Sequence, residues 1–288
     1  METLKNVGVV GAGMMGAEIA LCFALGGSMV VLKDAKLELA TAGRGKAERV
    51  LGRWVEKGRM TSEERTKVIN RILPVATYEG FEKAEIVIEA VVEQAEVKGK
   101  VYKELNAVCN ADCIIATNTS SIPISRLAAF SMRPEKFIGM HFFSPASVMK
   151  LVEVIPGSGT GEETIAKAIM IARSINKEPI RVADCAGFVV NRLLFAFFNE
   201  AWRIVAEGVA TPADVDKAVK FGLNHPVGIF DSQDLVGLDL ALAVTGMLQE
   251  EYGERFRPSP ILKRKVEAGH IGRKAQRGWF DYRAEGER

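Results

Sequence analysis

The stretch Val7-Gly-Val-Val-Gly-Ala-Gly-Met-Met-Gly16, followed by the apolar run Ala17–Leu25, decides the fold. A β-branched run that enters a glycine turn and continues as an apolar, helix-forming segment predicts a strand, a tight turn and a helix. In such a turn Gly11 makes the bend, Gly13 lets the backbone approach a pyrophosphate, and Gly16 lets the helix pack closely on the strand. The helix N-terminus then presents partial positive charge to the phosphates. The pattern predicts a dinucleotide site, and the alternative is a glycine-rich turn without a ligand.

A second predicted strand, Met29–Lys33, ends at an acidic residue, Asp34. An acid about 20 residues beyond the glycine turn binds the adenosine ribose diol and disfavours a 2′-phosphate. The sequence therefore predicts NAD in preference to NADP, although the flanking Lys33 and Lys36 weaken that preference. Met14 and Met15, which lie inside the glycine turn, are expected to contact the same cofactor.

Composition excludes several classes of protein. The 288 residues, of which 48% are hydrophobic and 26% charged, suit a globular chain rather than a disordered one. A net charge of +2 gives no electrostatic case for nucleic-acid binding, and no apolar run is long enough to span a membrane. No CxxC motif occurs, which favours reduced thiols, a cytoplasmic location and no metal site; the four cysteines are Cys22, Cys109, Cys113 and Cys185.

The first two thirds of the chain alternate short apolar runs with longer amphipathic segments, which is typical of βαβ units and a parallel sheet. Helices are predicted over Leu37–Val55 and after the capping box Thr61-Ser-Glu-Glu64. The predicted strands are Asn6–Val10, Met29–Lys33, Glu85–Ala90, Cys113–Thr117, Phe137–Phe142, Leu151–Ile155 and Ile180–Ala183. We expect an α/β fold with a Rossmann-type, mostly parallel sheet.

After Asp184 the pattern becomes helical throughout, and we expect a sheet domain at 1–184 and an all-helical domain at 185–288. Thr211-Pro212 combines an N-cap with proline at the first helical position. The helical domain is so rich in Leu, Phe and Val that a monomer would expose apolar surface, which predicts a homodimer. Its predicted helices are Phe188–Glu207, Pro212–Phe221, Ser232–Tyr252 and Ser259–Ala268.

His141 and Glu153 form the candidate catalytic pair. His141 ends the predicted strand Phe137–Phe142, and the carboxyl ends of parallel strands line the ligand crevice. Glu153 interrupts the apolar run Leu151–Ile155, and a buried carboxylate needs a partner. A glutamate beside the imidazole would fix its tautomer and stabilise its protonated form. The alternative is a satisfied core histidine and an edge-facing glutamate.

Polar side chains at two further places could reach the same crevice. Asn118-Thr-Ser120-Ser121 follows the strand Cys113–Thr117 and could bind substrate or cofactor; the alternative is a helix N-cap for a segment beginning near Ile124. Asn191 lies in the first turn of the first helix after the boundary, where it could project its amide into the cleft. The alternative for Asn191 is capping or solvent exposure.

Taken together, these residues resemble the 3-hydroxyacyl-CoA dehydrogenases, in their short, stand-alone form that includes 3-hydroxybutyryl-CoA dehydrogenases. The resemblance covers essentially the whole chain, and the block from His141 to Glu153 is its most specific part. The segments that carry it are GAGMMG, IEAVVE, NTSS, GMHFFSPASVMKLVEVI, AGFVVNR, FGLNHPVG, DLVGLDL and GRKAQRGWFDY. The family fold, a Rossmann-type domain followed by a helical domain that dimerises, is the fold that this resemblance implies.

The resemblance also implies roles for individual residues. His141 is the general acid/base and Glu153 its orienting partner, while Ser120 and Asn191 hydrogen-bond the thioester or the reacting oxygen. Further positions match the family at the NAD cofactor and at the 3′-phosphate of CoA; they are Glu93 and Lys98 for the first, and Arg49 and Arg53 for the second. For the two arginines a solvated helix face is the alternative. The substrate implied is an acyl-CoA, in fatty acid or butyrate metabolism.

Two segments depart from the family pattern, Ser144-Pro-Ala-Ser147 and Phe230-Asp-Ser-Gln233, and both bear on the acyl chain length that is accepted.

Two other functional classes stay open. One is a dehydrogenase of a CoA-free polar substrate, like the gulonate- and carnitine-type enzymes, against which Arg49 and Arg53 argue. The other is a non-catalytic protein, like lens crystallins that keep a dinucleotide fold, against which the presence of all four proposed catalytic residues argues.

Overall fold

The computed structural model describes residues 4–283. The chain divides into two compact units between Cys185 and Ala186. The first unit is built on an eight-stranded sheet in the order β3-β2-β1-β4-β5-β6-β7-β8, parallel except between β6 and β7. Its strands are β1 (Asn6–Val10), β2 (Met29–Lys33), β3 (Ile72–Val75), β4 (Ile86–Glu89), β5 (Ile114–Thr117), β6 (Phe137–Phe142), β7 (Leu151–Pro156) and β8 (Glu178–Arg181). The expected Rossmann-type α/β class is confirmed.

Helices cover the sheet of the first unit, and their buried faces form its apolar core. The predicted capping box is present, because the Thr61 hydroxyl accepts from the Glu64 backbone N–H and the Glu64 carboxylate accepts from the Thr61 N–H. The helices are α1 (Met14–Leu25), α2 (Leu37–Glu56), α3 (Ser62–Ile69), α4 (Ala95–Val108), α5 (Ile124–Ala128) and α6 (Glu162–Ser174).

Both outer strands differ from the sequence-based expectation. The strand β3, a four-residue segment that contains Pro74, was not predicted from the sequence. Proline lacks a backbone donor and is tolerated in an edge strand, which is where β3 lies. The prediction Ile180–Ala183 was displaced, since the strand runs over Glu178–Arg181. This second edge strand is largely exposed, so its residues lack the apolar run that marks the central strands.

The second unit is helical, and none of its residues up to 283 forms a β-strand beyond isolated bridges. The prediction of one helix over Ser232–Tyr252 was wrong, because Gly237 adopts φ +114° and separates two helices. Trp202 and Phe230 are fully buried at the core of this unit. The helices are α7 (Val190–Ala206), α8 (Pro212–Gly222), α9 (Ile229–Val236), α10 (Leu238–Tyr252) and α11 (Pro260–Glu267). No helix within residues 4–283 has the length and apolarity needed to cross a membrane.

Candidate active site

The carboxyl ends of five adjacent strands meet at one edge of the sheet. Val10 pairs with Lys33 on one side and with Glu89 on the other, and Glu89 pairs in turn with Thr117. Thr117 pairs with the glycine that stands two positions before His141 on β6. The segments that follow these strands therefore share one edge, which is the ligand-binding edge in open parallel sheets.

The glycine turn after β1 has the geometry that a pyrophosphate requires. Gly11 has φ +97°, and a Cβ there would lie 2.5 Å from the Ala90 carbonyl oxygen. A Cβ on Gly16 would lie 1.7 Å from the Gly11 oxygen, so only glycine permits this packing. Gly13, by contrast, has nothing within 4 Å of its Cβ position. The open space at Gly13, in front of the N-terminus of α1, fits an anionic cofactor group.

Asp34, the acid at the end of β2, is fixed toward the glycine turn. Its Oδ2 accepts a hydrogen bond from the Ala12 backbone N–H at 2.7 Å, and its Oδ1 accepts from the Ala35 N–H at 2.7 Å. Lys33 lies over the Tyr78 ring, with Nζ 4.4 Å from the ring centroid, and Lys36 is exposed. The carboxylate therefore stands beside the turn with a fixed orientation, as a ribose-binding acid requires.

His141 and Glu153 face each other across β6 and β7, the antiparallel pair of the sheet. The Nδ1 atom of His141 lies 2.8 Å from Oε2 of Glu153. Glu153 is fully buried and His141 is 6% exposed, so their interaction is little screened by water. The Phe143 ring packs 4.5 Å from the imidazole, centroid to centroid. A buried carboxylate on one ring nitrogen fixes the orientation and the tautomer of the imidazole ring.

Asn118 connects the end of β5 to the end of β6 by a hydrogen bond. Its Oδ1 accepts a hydrogen bond from the Phe142 backbone N–H at 2.8 Å, next to His141 in sequence. The capping alternative for the segment that follows is not observed. The first N–H groups of α5, those of Ile124 and Ser125, are instead bound by the Asp184 carboxylate at 2.8 Å each.

A buried ionic network lies beneath this edge, and its centre, Glu89, was not singled out from the sequence. Glu89 is fully buried and accepts hydrogen bonds from Lys98 Nζ at 2.7 Å, Tyr102 Oη at 2.6 Å and Thr117 Oγ1 at 2.8 Å. Burial and the neighbouring Glu89 charge raise the pKa of Tyr102 well above its usual range. The signal was available, since Glu89 ends an apolar strand just as Glu153 interrupts one.

Glu93 continues this network to the surface of the edge. Its Oε2 lies 3.1 Å from Lys98 Nζ, and its Oε1 accepts from the Thr119 hydroxyl and from the Ser120 backbone N–H at 3.1 Å. Burial acts to raise the pKa of Glu93, but the Lys98 ammonium and the hydroxyls of Thr119 and Ser121 outweigh it and lower the pKa. An ion pair and hydrogen bonds therefore connect Glu93 to Lys98 and to the segment that carries Ser120.

Arg49 and Arg53 lie one turn apart on the exposed face of α2 and border an open groove of about 680 Å³. Neither guanidinium is ion-paired within the part of the chain that the structure describes, whereas Arg65 in the same groove binds Glu48 at 2.8 Å.

Asn191 belongs to the second unit, where it is half-buried in the first turn of α7. Among residues 4–283 no cluster of three His, Cys, Asp or Glu side chains could hold a metal ion.

A Rossmann-type sheet with this glycine turn, acid and histidine–glutamate pair defines a nucleotide-dependent oxidoreductase. Residues 6–185 match the model of the 3-hydroxyacyl-CoA dehydrogenase NAD-binding domain, and residues 187–282 match that family's C-terminal domain. The chain belongs to the 3-hydroxyacyl-CoA dehydrogenase family and is an NAD-dependent enzyme of that family.

Several relatives match over nearly their full length. A Bacillus subtilis protein named "Probable 3-hydroxybutyryl-CoA dehydrogenase" is 43% identical over 97% of this chain and 98% of its own. The 3-hydroxybutyryl-CoA dehydrogenase of Bradyrhizobium diazoefficiens is 41% identical over 97% and 96%. The crystal structure of an (S)-3-hydroxybutyryl-CoA dehydrogenase from Ralstonia eutropha superposes with a TM-score of 0.93 at 38% identity, covering 97% of this chain and 99% of that one.

Proposed function

We propose that this chain interconverts short-chain (S)-3-hydroxyacyl-CoA and 3-oxoacyl-CoA, with 3-hydroxybutyryl-CoA and acetoacetyl-CoA as the pair of substrates, using NAD. The observation that carries the proposal is the 2.8 Å contact between His141 and Glu153 at the edge that also holds the glycine turn. Bound NAD supplies the acceptor or donor of the hydride.

His141 is the proposed general acid/base. Because Nδ1 faces Glu153, proton exchange with the substrate is assigned to Nε2. In the direction of oxidation, Nε2 takes the proton of the substrate hydroxyl while the hydride leaves the β-carbon. Glu153 stabilises the imidazolium that forms, and in the reverse direction the same nitrogen returns the proton.

Further polar side chains have proposed binding roles. Ser120, half-buried after β5, and Asn191 would donate hydrogen bonds to the reacting oxygen or the thioester carbonyl, as the family resemblance implies. Cofactor binding is proposed for the glycine turn with its two methionines, for the ribose-binding acid, and for residues on the segments that follow β4 and β5; these residues are Gly11, Gly13, Met14, Met15, Gly16, Asp34, Glu93, Lys98 and Asn118.

Arg49 and Arg53 are proposed to bind the CoA 3′-phosphate in the groove on α2, because two exposed guanidinium groups without carboxylate partners among residues 4–283 suit a phosphate. The double variant Arg49→Ala/Arg53→Ala should raise KM for acetoacetyl-CoA about tenfold and leave KM for the 3′-dephospho analogue unchanged. An unchanged KM with both substrates would instead support a solvated helix face.

A homodimer built on the second unit is proposed, with residues 1–184 serving as the NAD-binding domain and 185–288 as the dimerisation and substrate domain. Large apolar side chains are exposed on this unit, including Leu193 at 67%, Phe221 at 86% and Leu235 at 68%. Sedimentation equilibrium should give twice the chain mass, and Phe221→Lys should shift the measured mass toward that of the monomer.

We propose a cytoplasmic location, because the four free thiols, three of them buried, suit a reducing compartment.

The experiment that tests the activity follows NADH absorbance while purified protein reduces acetoacetyl-CoA, with free acetoacetate and NADPH in parallel. Rapid oxidation of NADH with the thioester alone is expected. Activity only with the free acid would move the protein to the CoA-free class of dehydrogenases. If folded protein that binds NADH oxidises it with none of the substrates, the result would support the non-catalytic alternative.

A further inference from the structure

Lys177, just before β8, is a buried lysine that the proposed mechanism does not use. It is only 7% exposed, and its Nζ donates to the backbone carbonyls of Ala146 and Met149, the second at 3.0 Å. Both carbonyls belong to the loop 143–150, which joins β6 to β7. This loop therefore connects the strand that carries His141 to the strand that carries Glu153.

The burial of an ammonium group is costly unless its N–H groups are satisfied. Within residues 4–283 no carboxylate lies within ion-pair distance of Lys177, so its hydrogen bonds to carbonyl oxygens compensate the charge instead. A methionine of similar length would remove that cost but would leave the Met149 carbonyl without this donor. Because burial of the ammonium group costs free energy that a methionine would not cost, we infer that Lys177 holds the loop rather than merely filling space.

The same loop is attached to α1, the helix that follows the glycine turn. Cys22 Sγ donates to the Ala146 oxygen at 3.3 Å, the same oxygen that accepts from Lys177 Nζ. Burial raises the pKa of Cys22 to about 11, with Lys177 opposing this shift and Glu18 adding to it. One turn before Cys22, the buried Oε2 of Glu18 has no hydrogen-bond partner among the residues described. Opposite charges thus flank the contact between helix and loop.

At its beginning the loop reaches the glycine turn itself. Ser144 Oγ lies 3.9 Å from Sδ of Met14, and the Pro145 oxygen accepts from the N–H groups of Val148 and Met149 at 2.9 Å each. The loop is thus a compact turn with one side on the cofactor motif. Val148 and Met149 point their side chains outward, with 62% and 43% exposure.

We propose that Lys177 is a positioning residue, which fixes the loop 143–150 between α1 and β8 and so places Ser144, Val148 and Met149 relative to the glycine turn and the catalytic pair. Its loss would displace the loop without breaking the His141–Glu153 contact, because the β6–β7 ladder holds that contact independently. A displacement of about 1 Å beside a reacting centre can cost up to about 100-fold in rate.

The test compares Lys177→Met, Lys177→Arg and the control Lys150→Met, an exposed lysine at the end of the same loop. For Lys177→Met we expect kcat to fall about 10- to 100-fold and the Kd for NADH, measured by fluorescence titration, to rise several-fold. The pH dependence of kcat should be unchanged, and amide hydrogen exchange in residues 143–150 should accelerate. Lys177→Arg, which keeps the charge and the donors, should recover kcat to within about threefold, and Lys150→Met should behave as the wild type.

Wild-type kcat and NADH affinity in folded Lys177→Met would overturn the inference, as would an arginine variant no better than the methionine variant. An altered pH dependence of kcat would overturn it as well, because Lys177 would then act on the proton of the catalytic pair. Should Lys177→Met not fold, Lys177→Gln is measured against the same outcomes. The inference rests on the proposed activity only for its kinetic assay: an inactive wild type would count against that activity, whereas NADH binding and hydrogen exchange would still test Lys177.

Discussion

His141 and Glu153 are opposite each other in the antiparallel register of β6 and β7, with Nδ1 2.8 Å from Oε2. Because the two residues are paired through the backbone ladder, their separation depends on strand register rather than on the long loop between them. Directly opposed residues on antiparallel strands hold their Cβ atoms about 4.5–5.5 Å apart, which suits a hydrogen bond between an imidazole and a carboxylate. The fold therefore holds an oriented base in place before any ligand binds.

Replacement of Glu153 by Gln should preserve the contact with the imidazole while removing its negative charge. We expect kcat for acetoacetyl-CoA reduction to fall about 10²–10⁴-fold, because the imidazolium loses its stabilising partner. Steady-state kinetics with NADH measure this effect. Glu162→Gln, at an exposed glutamate, is the matched control and should leave kcat unchanged. An unchanged kcat in folded Glu153→Gln would exclude the proposed role of the pair.

Replacement of Asp34 by Ala should weaken the preference for NAD. A hydrogen bond to a charged group contributes about 1.5–3 kcal/mol, so we expect the ratio of kcat/KM for NADH to that for NADPH to fall at least tenfold. The exposed Glu38, in the first turn of α2, provides the control Glu38→Ala. A ratio equal to that of the wild type would refute the assignment of Asp34 to the ribose diol.

Removal of the Lys98 ammonium should destabilise the first unit, because it leaves the fully buried Glu89 carboxylate without its cationic partner. Breaking a buried pair on one side costs about 3–5 kcal/mol, so urea denaturation of Lys98→Met should show a loss of that order. Lys103→Met, at an exposed lysine of the same helix, should change stability little. The double variant Glu89→Gln/Lys98→Met should recover part of the loss, and a double variant that is less stable than Lys98→Met would contradict the pairing.

The glycine turn and the strands beside it could be predicted because each depends on local sequence. Glycine spacing determines the turn, and apolar runs mark strands that are covered on both faces. The Glu89 network could not be predicted in the same way, since Thr117 lies 28 residues from Glu89 and reaches it only through the pairing of β4 and β5. The separation of α9 from α10 at Gly237 could not be predicted from the sequence either, because a single glycine within an amphipathic pattern does not distinguish a continuous helix from an interrupted one.

The lowered pKa of Glu93 predicts a specific loss of stability in acid. A carboxyl group whose folded-state pKa lies below the ordinary value of 4.5 favours folding while it is ionised. That contribution is complete above the unfolded-state pKa and is lost as pH falls through the lower, folded-state pKa. The free energy of unfolding of the wild type should therefore exceed that of Glu93→Gln most at pH 6–7, and the two should converge as pH falls below about 4.5.

Urea unfolding midpoints between pH 3 and pH 7 measure this convergence, and Glu96→Gln, at an exposed glutamate in the first turn of α4, is the control. The cause is the Lys98 ammonium together with the hydroxyl donors Thr119 and Ser121, which outweigh burial. In a chain that already carries Lys98→Met, the further change Glu93→Gln should therefore cost less stability than it does in the wild type. A stability difference that stays constant across the pH range would mean that Glu93 acts through its shape and not through its charge.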